Sequence, residues 1–285
     1  MRKPLGKQRG ELERRLQVAR AAADGAGRIT LRWFCGDFKR ETKRDGSVVT
    51  IADREGERLI RRTIQRSFPQ DGILGEEFEE KPGASRYRWI VDPIDGTLSF
   101  ARGVPLYGVL IGVEDTEERD CPAGVVHVPA LGETVYALRG AGCTWERRNG
   151  RRREARRARV SRVNSLDSSL LLATDFWNAP DKLRRAALLQ LAGRAHVRRT
   201  WADCYGYVLV ATGRAELMLD AVMNPWDCAA IQPVVEEAGG RFTDWKGVRT
   251  IYGGCAVASN GLLHAAALQE LAATSILNPP VPLRH

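Results

Sequence analysis

The 285-residue chain has no apolar run approaching the roughly 20 residues that cross a bilayer. A membrane-spanning protein is therefore not expected. The segment from Met1 to Arg20 is basic and polar with no apolar stretch behind it, which speaks against a secretory leader and for the cytoplasm. The six cysteines (Cys35, Cys121, Cys143, Cys204, Cys228, Cys255) form no CxxC pair, so reduced and mostly buried thiols are expected instead of a disulfide framework. The four histidines lack metal-ligand spacing, which argues against zinc. There is no internal repeat and no long linker. Lysine is scarce, 7 against 37 Arg within a formal charge of +9.

Much of the charge is local. Arg147 to Arg162 holds nine Arg against one acid, Glu154. A run of this kind reads either as a polyanion patch or as a solvated hairpin. Asn149-Gly150 is a turn signal, and no aromatic interleaves the arginines for base stacking. The hairpin is the preferred reading, and a nucleic-acid partner is not expected.

Three short acidic segments carry more information: Gly75-Glu76-Glu77, Asp92-Pro93-Ile94-Asp95-Gly96-Thr97 and Trp226-Asp227. Each closes an apolar run: Ile73-Leu74, Trp89 to Val91, and Met223 to Trp226. Such runs read as buried strands or element starts, and acids at their ends would converge at a sheet edge. Like charges converge only around something positive. With no His or Cys in these segments, the cation is hard and oxygen-loving, Mg²⁺ first, with Mn²⁺ or Ca²⁺ behind it. Pro93 stiffens the chain between two acids, and Gly96 permits a tight turn or close approach of a ligand. Thr97 and Ser99 can open a helix whose free N–H groups face an anion. Carboxylates, metal and a helix N-terminus together are the layout of a phosphate site.

The rest of the pattern is mixed. Residues Gly10 to Trp33 and Asp53 to Phe68 show helical spacing, with Asp53 placed as the N-cap of the second helix. Lys43 to Ile51 reads as a turn at Asp45-Gly46 and then an extended stretch, and Ile73 to Ala137 is rich in strand signals. Beyond residue 150 short strands (Leu170–Ala173, Leu217–Leu219, Cys255–Ala258) alternate with helices (Pro180–Ala192, Ala202–Thr212, Ala229–Ala238, Leu262–Ala273). The expected organisation is two closely packed lobes, residues 1–145 and 146–285. The first carries an antiparallel sheet and most metal ligands, and the second the substrate-recognition residues.

The three acidic segments, with Pro225 to Ala230 and Glu237-Ala238-Gly239-Gly240 behind the last, resemble the signatures of the inositol monophosphatase superfamily from about Lys43 to Ala258. The resemblance implies an α/β fold, an αβαβα sandwich. It also implies Mg²⁺-dependent, Li⁺-sensitive phosphomonoesterase activity, with two or three Mg²⁺ ions per site and Mn²⁺ as an alternative, commonly in a homodimer. Carried over by position, Glu76, Asp92 and the Ile94 carbonyl would hold one metal, and Asp92, Asp95 and Asp227 a second. Thr97, Glu76 and Asp53 would orient or activate the attacking water. Asp95, Gly96 and Thr97 would hold the phosphate. Thr50-Ile51-Ala52-Asp53 matches the family's Thr-x-x-Asp element, although on physical grounds alone Asp53 is equally a helix cap.

Arg199 to Tyr207, Ala211 to Glu216 and Phe242 to Trp245 resemble the branch that hydrolyses L-histidinol phosphate. That branch usually has Gly at the position of Ala202 and commonly Lys at that of Leu98. Asp220, seven residues before Asp227, stands where the family contacts substrate. With Asp203 and Arg199 it completes the substrate-recognition set, because an acid would pair with the ammonium and imidazole of histidinol phosphate. Without the resemblance, Asp203 reads as an N-cap and Asp220 as a turn residue. The alternatives are an inositol-1-phosphate or broad-specificity sugar phosphatase, and a non-enzymatic regulator binding RNA or the transcription machinery.

Overall fold

A computed structural model describes residues 5–36, 40–42, 48–150, 152–177, 179–200 and 202–277. The expected turn at Asp45-Gly46 and the Trp201 of the substrate-branch motif lie outside these residues.

Helix α1 (Leu5–Trp33) is followed by the short antiparallel pair β1 (Arg40–Thr42) and β2 (Val48–Thr50), and then α2 (Ile51–Ser67). Strands β3 (Gly72–Gly75) and β4 (Tyr87–Asp95) pair in parallel. After the single turn α3 (Thr97–Ala101) an antiparallel meander runs through β5 (Gly108–Asp115), β6 (Asp120–Val128), β7 (Glu133–Leu138), β8 (Gly142–Asn149) and β9 (Arg152–Arg157). These seven strands form one sheet in chain order. The expected lobe boundary at 145/146 falls inside β8.

The second half contributes β10 (Leu170–Leu172), α4 (Lys182–Arg194), β11 (Val197–Arg199), α5 (Asp203–Ala211) and β12 (Leu217–Asp220). It continues with α6 (Pro225–Cys228), α7 (Ile231–Glu237), β13 (Arg241–Thr243), β14 (Ala256–Ser259) and α8 (His264–Leu277). Its five strands lie in the order β11-β10-β12-β14-β13.

Side-chain alternation stacks these elements into five layers. Trp89, Val91, Ile111 and Val125 of the large sheet pack against Ala19, Ala23, Ile60 and Ile64 of α1 and α2. Ile90, Leu110 and Val126 face the other way, onto Tyr207 and Val208 of α5 and Val234 of α7. The same middle core takes Met218 and Ala258 of the small sheet. Leu217, Leu219 and Val257 point outward onto Leu188 and Leu191 of α4 and Ala267 and Leu271 of α8. The order helix, sheet, helix, sheet, helix is the αβαβα sandwich expected from the sequence.

Two sequence-based expectations shift. Thr50, not Asp53, caps α2: its hydroxyl accepts the Ala52 N–H at 3.2 Å, while Asp53 sits a turn inside and bonds back to Thr50. The arginine-rich hairpin forms, but Asn149 pairs with Arg152 as the last residue of β8, so it belongs to the ladder and not to the turn that the Asn-Gly signal suggested. Its outer strand β9 is exposed at every residue. Five of the six cysteines are buried, Cys35 is exposed, and all are free. No helix among the described residues is long and apolar enough to cross a membrane.

Candidate active site

Strand parity sets the first acid. Asp92 follows Ile90 at period two and so faces the middle helical layer. In a regular strand Asp95 would face the opposite way. One extra residue lies between Asp92, opposite Leu110, and Asp95, opposite Gly108. That bulge turns Asp95 back to the side of Asp92. Pro93, with no N–H to leave unpaired, sits inside it. The Ile94 N–H donates to Asp92 Oδ1 at 2.9 Å, and the Cys204 N–H to Asp95 Oδ2 at 2.6 Å. Asp227 arrives from α6, and Asp92, Asp95 and Asp227 each offer an oxygen within 4.8 Å of the others.

Asp53 and Asp227 are held by the same device. Each occupies the third position of its helix and spends one oxygen on the cap. Asp53 Oδ2 accepts from Thr50 N at 2.7 Å and from the Thr50 hydroxyl at 2.6 Å. Asp227 Oδ2 accepts from Asn224 N at 2.7 Å. The buried Asp53 Oδ1 has no hydrogen-bond partner among the described residues. An orphaned carboxylate oxygen in a dry site calls for a cation or a water.

Glu76 stands just past the end of β3, close enough to act on Asp53, Asp92 and Asp227. The turn carrying it rests on a residue that sequence reasoning did not single out. Glu57, on α2 and fully buried, accepts the Glu77 N–H at 2.8 Å and the Arg61 Nε–H at 2.7 Å. Arg61 also donates to the Phe78 carbonyl at 3.0 Å, so the pair clamps both sides of the turn. The signal was present as Glu57 and Arg61 at i, i+4 on the helix that starts with Thr50-x-x-Asp.

Burial pushes Asp92 and Asp95 well above the usual carboxylate range, and neighbouring carboxylates push them further. Burial likewise raises Asp53, Asp220 and Asp227 to about 7. An all-oxygen cluster whose members raise one another fits a hard divalent cation, which would restore their ionised forms. Of the groups expected from the sequence, Asp92, Asp95 and Asp227 come close enough to share one such ion, with Glu76 near them and the Ile94 carbonyl on the strand between Asp92 and Asp95. That carbonyl accepts the Thr97 hydroxyl at 3.0 Å.

Gly96, with φ +82°, precedes α3. A β-carbon there would lie 2.9 Å from Asp203 Oδ2, so both backbone and space require glycine. Asp203 is the first residue of α5, not its cap, and accepts the Ser99 hydroxyl at 2.8 Å. Asp220 ends β12 on the side of Met218 instead of lying in a turn, with its oxygens on Thr174 N at 3.0 Å and Tyr207 OH at 2.9 Å. A cavity of about 130 Å³ joins Asp95, Asp203, Asp220 and Asp227. Thr174, Asp175 and Asp203 are shared with a second cavity of about 480 Å³, walled by Leu98, Phe176, Trp177 and Thr200. Arg199 lines neither: it is exposed on the edge strand β11, and its guanidinium bonds the Arg198 carbonyl at 2.7 Å. Thr174, Asp175 and Trp177 were not anticipated, because nothing in their local pattern marks a site.

Residues 11–277 match the inositol monophosphatase family, and the chain belongs to that family. It is a phosphatase of the inositol monophosphatase class, and members of that class depend on metal ions. The chain is 44% identical over 240 residues to a histidinol-phosphatase of Chlorobaculum parvum, covering 84% of this chain and 89% of the relative. It is 40% identical to a histidinol-phosphatase of Mycobacterium tuberculosis over 259 residues, 90% and 97% of the two chains. The Nus factor SuhB of Escherichia coli is 32% identical over 242 residues, 81% and 85% of the two chains. Among solved structures, an IMPase of Thermotoga maritima superposes with a TM-score of 0.79 at 28% identity, covering 92% of this chain and 98% of that one.

Proposed function

We propose that the protein hydrolyses L-histidinol phosphate to L-histidinol and phosphate with Mg²⁺. The observation that carries the substrate is the wall beside the carboxylate cluster: Asp175 and Asp203 stand with Phe176 and Trp177 around the larger cavity. Carboxylates flanked by aromatic faces suit a cation with an imidazole ring better than a neutral polyol. The identity to two histidinol-phosphatases supports the same reading.

Mg²⁺ bound by the acids would polarise the phosphoryl oxygens and lower the pKa of a water. The chain's own groups do the rest. Gly96 and Thr97 bring backbone N–H groups to the phosphate. Asp53 Oδ1, without a hydrogen-bond partner among the described residues while Oδ2 is tied to Thr50, is placed to take the proton of the attacking water. Asp220 and Asp203 pair with the cationic end.

The test is kcat/KM with Mg²⁺ for histidinol phosphate, inositol-1-phosphate, fructose-1,6-bisphosphate and 3′-phosphoadenosine-5′-phosphate. A preference of about a hundredfold for histidinol phosphate, roughly 2.7 kcal/mol in the transition state, is expected. Comparable rates on inositol-1-phosphate would replace this reading with a general phosphatase. No turnover of any ester would favour a binding role like that named for the Nus factor SuhB.

A further inference from the structure

The large sheet has a second concave site on its other face. His127 lies on β6 between Val126 and Val128, which face the middle core, and so points to the α1 side. Thr134 does the same beside Val135, and Glu146 beside Trp145. Together with one face of α1 they enclose a cavity of about 410 Å³ that contains none of the site acids.

Its charge is unbalanced. Four guanidinium groups, Arg20, Arg28, Arg148 and Arg153, line it against two carboxylates, Asp24 and Glu146. Each acid is shared by two arginines. Glu146 meets Arg20 and Arg153, both at 2.9 Å, and Asp24 meets Arg28, and Arg148 at 3.6 Å. One negative charge between two positive ones leaves each trio at +1, so the cavity holds two uncompensated positive charges. Arg20 is fixed further by stacking 3.9 Å from the Tyr136 ring centroid, which lowers the entropy lost on binding an anion.

The floor is polar but uncharged. His127 Nδ1 lies 2.9 Å from the Thr134 hydroxyl. Burial holds the imidazole near 4, neutral at physiological pH. Its Nε2–Cδ2 edge faces Gly27, where a β-carbon would come within 2.6 Å of both atoms. Leu31 and Pro129 add an apolar wall.

We propose that this cavity is a binding site for a phosphoryl dianion, free phosphate or a small phosphate ester, separated from the carboxylate cluster by the seven-stranded sheet. Paired guanidinium forks match phosphate oxygens, and a dianion would complete the charge of both trios. The size accommodates a small organic group beside the phosphate. The inference does not depend on the substrate proposed above.

The experiment is equilibrium dialysis of radiolabelled inorganic phosphate against the full chain, at low salt and in EDTA. Stripped of metal, the carboxylate cluster repels anions. Saturable binding of one equivalent is expected, weakening steeply with added salt. Arg28→Ala with Arg148→Ala should weaken it at least about tenfold, and Arg148→Gln alone should weaken it measurably if the pair of changes disturbs folding by circular dichroism. Asp227→Asn should bind like the parent. Competition by phenyl phosphate separates the sources: tighter binding than inorganic phosphate means an ester fills the apolar wall, and equal binding means free phosphate. No saturable binding in the parent, or binding unchanged in the arginine variants, would overturn the proposal. So would binding that strengthens in Asp227→Asn and is unmoved in the arginine variants, which would place the anion among the site acids.

Discussion

Glu57 Oε1 occupies the space into which a side chain on Gly75 would project: a β-carbon there would lie 2.1 Å from that oxygen. The glycine beside Glu76 is thus an opening for a buried carboxylate that supports the turn from below. Gly75→Ala must displace Glu57, whose oxygens hold Glu77 N and Arg61. We expect a loss of about 1–3 kcal/mol in urea unfolding, typical of overpacking. The Mg²⁺ concentration for half-maximal rate should rise at the same time. Unchanged metal dependence would show that the support does not reach Glu76.

Asp92→Asn should nearly abolish turnover, because it removes charge from the centre of the acid set while keeping the shape. Steady-state rates at saturating Mg²⁺ test this, and parent-like activity would end the site assignment. Asp220→Ala should act differently, raising KM for histidinol phosphate far more than for a small uncharged-tail phosphate ester. Equal effects on both would remove Asp220 from recognition and leave it as the anchor of Thr174 and Tyr207.

The raised carboxyls tie metal to pH. Asp53, Asp220 and Asp227 sit at about 7 in the metal-free fold but titrate near 3.9 when unfolded. Between these values the folded state holds more protons, so the metal-free protein loses stability as pH rises toward and through 7. A divalent cation reverses this by favouring the ionised acids. The increase in melting temperature on adding Mg²⁺ should therefore be larger at pH 8 than at pH 6. An equal increase at both would mean that the acids are not titrating with the metal.

His264 gives the opposite slope. It is buried between Thr243 and Ser259, each at 2.9 Å, and burial lowers it from about 6.5 to about 4. The unfolded chain takes up the proton first, so stability present above pH 6.5 is lost as pH falls toward 4. Replacing it, His264→Gln, should lower stability at pH 7.5 yet flatten this acid limb. Denaturant midpoints across pH 4–7.5 check both, and an acid limb as steep as the parent's would assign the loss to other groups.

The acid segments were legible because each combines a composition with a position: carboxylates at the end of an apolar run, punctuated by Pro93 and Gly96. The strand-like and helix-like periods pointed to an α/β arrangement, and the five-layer order came from the family resemblance. What stayed hidden is non-local. Strands β11 and β13 have three residues each, too short for a period to show. The role of Glu57 depends on where β3 ends relative to α2. Thr174 and Asp175 join the site only because β10 lies beside β12 and delivers them to Asp220. Asp53 read as a cap or as a site residue, and the structure shows one oxygen serving the cap and the other unbonded.

Strand β9 leaves one margin of the seven-stranded sheet open, and its sequence, RREARR, studs that margin with four guanidinium groups. A second copy approaching edge to edge would bring like charges together along the whole strand. Fibre-like growth by strand addition is thereby opposed at this margin. The hairpin works as a repulsive fence that keeps a large, mostly buried sheet from recruiting its own kind.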